Sequence, residues 1–221
     1  MAGPSALYSI LVSIFAATAF LLAWAAEFGC AFISFTSTSG FNQPITVKFG
    51  IWTYQFWTIA TSVGGSVIFE TCHSYPSTVH IDSNWKAARA FSTLAVVFGG
   101  IFLFANLITA CTSPLRRTSR AEAPAFIVAC FFQGLALLLL NSAACNDNSL
   151  VRHLQKDVAN LGNTEMEFPD TCSISTGAKC TISAIVFWFL AAMASTMSLR
   201  AEKKEEENNV ITEPLIPGEN L

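Results

Sequence analysis

Charge is what this chain has least of. Only 12% of its 221 residues are Asp, Glu, Lys or Arg, about half the roughly 25% of an ordinary soluble domain. The deficit is concentrated, because residues 7–26, 90–111, 125–145 and 181–199 carry no charged side chain. Ionisable groups inside a membrane mark proton relays and ion paths, so four empty runs argue against a pump or a proton-coupled transporter. Histidine is almost missing too: His73, His80 and His153 are its only copies, all outside those runs. There is no nucleophile elbow, no phosphate loop and no HExxH, so no catalytic residue, cofactor or metal site is expected. Cys72, His73 and His80 could approach zinc only with Cys72 reduced. A net charge of -3 without a basic cluster gives nucleic acid nothing to hold. No N-x-S/T sequon occurs, which excludes N-glycosylation.

What is present is apolar length. Hydrophobic residues make up 52% of the chain. Each of the four uncharged runs is close to the roughly 20 helical residues that cross about 30 Å of hydrocarbon. None alternates with period two, and lipid tolerates only helices or closed barrels, so four membrane helices are expected. Arg116, Arg117 and Arg120 follow the second run, and Arg200, Lys203 and Lys204 follow the fourth. Positive residues beside span ends stay cytoplasmic, which puts both termini in the cytoplasm and loops 27–86 and 146–180 outside. Run 7–26 has no preceding Lys or Arg and is about twice as long as an ordinary signal core; it reads as a retained helix. Residues 1–199 thus form one four-span domain, and 200–221 a cytoplasmic tail that is briefly helical and then disordered.

The first outer loop is rich in residues that suit a pleated surface. Its stretch KFGIWTYQFW, 48–57, has five aromatic residues in ten. Gly64-Gly65 reads as a hairpin turn between two apolar runs. The expected architecture is a membrane all-α four-helix bundle with a small antiparallel β-sheet in the first external loop. Trp52 reads as sheet core, while Tyr54, Phe56 and Trp57 are candidates for partner contact or an interfacial aromatic belt.

Of seven cysteines, Cys111 and Cys130 lie at or within spans, and Cys30, Cys72, Cys145, Cys172 and Cys180 lie outside, where disulfides persist. Cys30 with Cys72 would pin the sheet over the bundle. Cys172 has two candidate partners, Cys145 and Cys180, of which Cys145 is favoured because that bond closes the second loop. Within the spans, Asn106, Gln133 and Asn141 read as interhelical hydrogen-bonding residues.

This layout, with Gly50-Ile51-Trp52 in the first loop and Ala87-Ala88-Arg89 leading into the second span, resembles the claudin and peripheral-myelin-protein superfamily. Members carry a Gly-Leu-Trp signature followed by two cysteines; here Cys72 matches the second, and Cys30 stands in for the first. The resemblance implies a non-enzymatic plasma-membrane protein whose first external loop contacts other membrane proteins or copies of itself. Its role would be adhesion, membrane organisation or service as an auxiliary subunit. The alternative it implies is an ion pathway between assembled copies, lined by acidic residues such as Glu70 or Asp82. Arg89 can snorkel toward the headgroups and meet Glu27 at the end of the first span.

Overall fold

The computed structural model describes residues 4–37, 46–62, 65–112, 119–146, 148–160 and 167–212. In chain order the elements are helix α1 (Pro4–Phe28), strands β1 (Ile33–Thr36), β2 (Thr46–Phe49), β3 (Thr53–Ser62) and β4 (Gly65–Ser74), then helices α2 (Ser83–Thr112) and α3 (Ser119–Leu135). A 3₁₀ segment, Ala136–Asn141, continues α3 into α4 (Ala143–Asn146); α5 (Ser149–Asn160), β5 (Ser173–Ile174) and α6 (Thr176–Thr212) follow. Four stretches, Leu7–Phe28, Ser83–Ile108, Ala121–His153 and Thr176–Lys204, are long and apolar enough to cross a membrane. Beyond the last of them α6 stays helical to Thr212, and the tail after that residue lies outside the described residues.

The helices pack through small residues. Ala16, Ala19 and Ala23 of α1 and Ala184, Ala191 and Ala192 of α6 are buried in one core. Small side chains let backbones approach closely, which matters where lipid removes the hydrophobic drive between helices. Trp188 fills the space this leaves, stacked on Phe126 at 5.7 Å. Gly99 faces that indole, and a β-carbon there would overlap it. Leu7, Ile10, Ile101, Phe104, Phe131 and Phe189 point outward and are exposed, a surface suited to acyl chains and unsuited to water.

The sheet has the order β4-β3-β2-β1-β5 with antiparallel pairing. Alternation along β1 and β2 turns Ile33, Phe35, Val47 and Phe49 inward and Thr36 outward, as the two-residue period of a strand requires. Those side chains join Phe32, Ile51, Trp85, Leu139, Val151 and Phe168 in a second core, at the junction of sheet and helices. The sheet expected of the first loop is therefore present, with one addition: β5, from the segment between α4 and α6, pairs Ile174 with Ile33. Backbone bonds from Ser175 to the Phe32 carbonyl (3.1 Å) and from Gly177 to the Ala31 carbonyl (2.7 Å) continue that seam.

Disulfides join Cys30 to Cys72 and Cys145 to Cys172. The first ties the end of α1 to β4, and the second ties α4 to the approach of β5. Cys180, the rejected partner of Cys172, is a free thiol. The Cys72 sulfur is thus unavailable to zinc, and among the described residues no group of three or more His, Cys, Asp or Glu could hold a metal.

Candidate functional site

The densest polar constellation lies where the β2–β3 turn meets the ends of α1 and α2. It is built from the start of α2. Asp82 caps that helix, accepting from the Trp85 N–H at 3.0 Å through Oδ1. Its Oδ2 accepts from the Ala143 N–H at 3.1 Å, which fixes α4 beside α2. Such a cap satisfies one of the orphan donors of a helix N-terminus. Asp82, offered above as a pore-lining acid, is engaged on both oxygens in holding helix ends.

From that start, Trp85, Arg89, Ser92 and Thr93 recur at helical spacing and reach one neighbourhood. Trp85 is buried, and its Nε1 donates to the Ile51 carbonyl at 3.2 Å. Arg89 Nε donates to the same oxygen at 2.9 Å. The guanidinium lies 4.8 Å from the Trp52 ring, 5.3 Å from Trp85 and 5.5 Å from Tyr75. Three aromatic faces around one cation give electrostatic attraction without a hydrated shell. Tyr75 completes the enclosure, donating its hydroxyl to the Gly50 carbonyl at 2.8 Å. The turn carbonyls of Gly50 and Ile51 are thus held by three side chains from outside the turn.

Glu27, in the last turn of α1, is the counter-charge and only 3% exposed. A carboxylate at a helix C-terminus is opposed by the helix dipole, so it needs compensation. Trp52 Nε1 donates to its Oε1 at 2.5 Å and Thr93 Oγ1 to the same oxygen at 2.8 Å, while Ser92 Oγ donates to Oε2. Arg89 and Glu27 therefore meet through the Trp52 indole, which one stacks against and the other accepts from.

Three expectations change here. Trp52 is 42% exposed and is a bridge at the sheet's margin, because it falls in the turn between β2 and β3, where strand alternation is interrupted. Tyr54 packs against Phe49 (6.3 Å) and Tyr75 (5.5 Å) on the junction core, so it serves the fold before any partner. The helices also outrun the uncharged runs: Glu27 and Glu122, the latter 5% exposed, lie within segments able to span. The expectation of spans free of ionisable groups is corrected accordingly. Glu122 accepts from Asn106 Nδ2 at 3.1 Å, and Ser13 Oγ lies 3.0 Å from Asn106 Oδ1, which ties α1, α2 and α3 together. Gln133 Nε2 donates to Thr181 Oγ1 at 3.4 Å between α3 and α6.

Of the other residues singled out by sequence, Gly50, Ile51, Trp52 and Arg89 come together in this clamp, and Ala88 is buried beneath it. Ala87 is half-buried on the same helix turn. The side chains of Phe56, Trp57 and Glu70 lie outside the described ones. Sequence reasoning missed Tyr75, Ser92 and Thr93; the i, i+4, i+7, i+8 spacing from Trp85 was the available signal. No protein-family model matches this chain, and no curated protein matches it significantly.

Burial pushes the Tyr75 phenol above the ordinary tyrosine value of 10.0, with Arg89 pulling the other way. The folded chain then holds this proton more tightly than the unfolded chain does. Stability is intact below about pH 10 and falls as pH rises past it. Tyr75→Phe should cost about 1 kcal/mol near neutrality through the lost bond to Gly50, and the deficit should shrink above about pH 10. Thermal unfolding of both proteins across that range checks this, and a gap independent of pH would contradict it.

Proposed function

We propose that this is a claudin-like, non-enzymatic protein of the plasma membrane, with both termini cytoplasmic, that binds other membrane proteins or its own copies through the β3–β4 hairpin. One observation carries the reading. β3 and β4 pair from Thr53↔Ser74 to Ser62↔Gly65, whereas β2 meets β3 only at Phe49↔Tyr54. The hairpin therefore runs on past the sheet as a two-stranded ribbon with no third strand among the described residues. Such ribbons are marginal alone in water, and their open edges invite another strand or surface. This one is held rigidly at its root by the Cys30–Cys72 bond and the aromatic clamp, so it presents its far end in a fixed direction.

The sequence of that far end, Phe56-Trp57-Thr58-Ile59 opposite Val67-Ile68-Phe69, supplies the apolar content that buried contact rewards. Trp57→Ala should reduce crosslinked assemblies in native membranes by about tenfold or more, the loss expected of an aromatic hot spot. Thermal stability and the Cys30–Cys72 bond should be unchanged. Unaltered crosslinking would reject the hairpin as the contact. Conductance of the purified protein in planar bilayers tests the rival ion-pathway reading, in which assembly alone opens a current.

A further inference from the structure

Helix α5, between the third and fourth spanning segments, is anchored on one side and open on the other. Val151 is buried, and Leu150 packs on the junction core beside Phe35 and Phe168. Buried Asn148 fixes the helix start: its Oδ1 accepts from the N–H groups of Leu150 (3.0 Å) and Val151 (3.4 Å), and its Nδ2 donates to the Ala144 carbonyl at 2.9 Å. The Cys145–Cys172 disulfide braces the chain just before it. The open side carries Ser149, Arg152, His153 and Lys156, at i, i+3, i+4 and i+7, a single stripe of an α-helix. These four side chains alone line an open cleft of about 160 Å³.

This stripe breaks two local rules. The first turn of α5 holds no acid, and cations crowd the end where the helix dipole is already positive. Arg152 and Lys156, four residues apart, also repel each other. Overall basicity does not explain this, since the chain has a net charge of -3. Local rules are broken where function compensates, and an anion seated in the cleft would remove both penalties together. We propose that the α5 cleft binds one phosphate or sulfate monoester. Arg152 offers a planar fork to two oxygens and Lys156 a point charge; Ser149 and His153 supply further donors. A water takes about 30 Å³ of liquid, so the volume holds a tetrahedral oxyanion with attendant water. A smaller cleft on the other side of Arg152 contains Asp170 and Gln155, which limits the site to a single anionic group.

The monoester comes either from a lipid headgroup or from a soluble ligand, and two arms of one experiment separate these. The full-length protein in phosphatidylcholine nanodiscs is titrated calorimetrically with inorganic phosphate and with sulfate. In parallel, nanodiscs of equimolar phosphatidylcholine and phosphatidic acid are analysed by native mass spectrometry for retained phosphatidic acid. Uptake in at least one arm is expected, weakening with salt. It should fall about tenfold or more in R152Q/K156Q and persist in K156R. Free-anion binding places the ligand in solution, and phosphatidic acid retention alone places it in the bilayer. Absence of uptake by the wild-type protein in both arms overturns the proposal, as does equal uptake by a folded R152Q/K156Q variant with its Cys145–Cys172 bond intact.

Discussion

Gly50→Ala should leave the protein unable to close its cap. A β-carbon at position 50 would fall on the Gly29 carbonyl oxygen and lie 2.9 Å from both the Cys30 Cα and the Thr53 carbonyl oxygen. All three neighbours are backbone, so no rotamer change can relieve the overlap. The turn also closes on itself through the Gly50 N–H to the Thr53 carbonyl at 2.7 Å, which prevents position 50 from backing away. Ordinary overpacking costs about 1–3 kcal/mol when side chains can shift; with backbone on every side the cost should reach or exceed the top of that range. For a chain of this size about 3 kcal/mol corresponds to roughly 6–12 °C in unfolding midpoint. Because Gly50 abuts Cys30, the same displacement should slow formation of the Cys30–Cys72 bond, visible as alkylatable thiols. Gly134→Ala is the matched control: a β-carbon there meets nothing within 4 Å, and Ala favours a helix interior by about 1 kcal/mol over Gly. A wild-type midpoint for Gly50→Ala would mean that the turn is not seated against Gly29 and Cys30.

Much of this architecture was legible in the residues, for reasons that also mark where legibility ended. Four uncharged runs declare spanning helices because lipid penalises unpaired backbone and charge alike. Their ends were misjudged, since Glu27, Arg89 and Glu122 enter the helices once partners satisfy them. The pairing of Cys30 with Cys72 followed from topology, both flanking one β-rich loop. β5 could not be read: Ser173 and Ile174 are exposed, and only the backbones of Ser34 and Ile33 recruit them. Helix α5 was written in the sequence at i, i+3, i+4, i+7, but its charges were counted for orientation and not for periodicity. Trp52 was misassigned because a turn resets the strand alternation. The clamp itself was half legible, as two motifs, GIW and AAR; that they meet around one arginine is a tertiary fact.

Removing the Glu27 carboxylate should be the second severe change, and its size should depend on the replacement. Glu27→Leu takes the acceptor from Trp52, Ser92 and Thr93 at once. Thr93 also contacts the Arg89 carbonyl at 2.9 Å, and half-exposed Trp52 can reach water, so the fully buried Ser92 hydroxyl is the one left stranded. The loss also leaves Arg89 without its nearby counter-charge, and breaking a buried charge pair from one side costs about 3–5 kcal/mol. Glu27→Gln keeps one acceptor oxygen where Trp52 and Thr93 converge and loses the charge, so roughly half that penalty is expected. The two effects separate in a double-mutant cycle. If Glu27 and Arg89 act on each other through the Trp52 indole, Glu27→Gln should destabilise the Arg89→Gln background by at least about 1 kcal/mol less than it destabilises the wild type. Additivity within about 0.5 kcal/mol would show two independent anchors that merely share a tryptophan. Trp52→Phe then discriminates further: it deletes the Nε1 donor at 2.5 Å while keeping a ring face for Arg89, so it should abolish the coupling yet retain most of the cation–π contact. Unfolding midpoints of these variants in detergent micelles decide between a single coupled clamp and two separate ones.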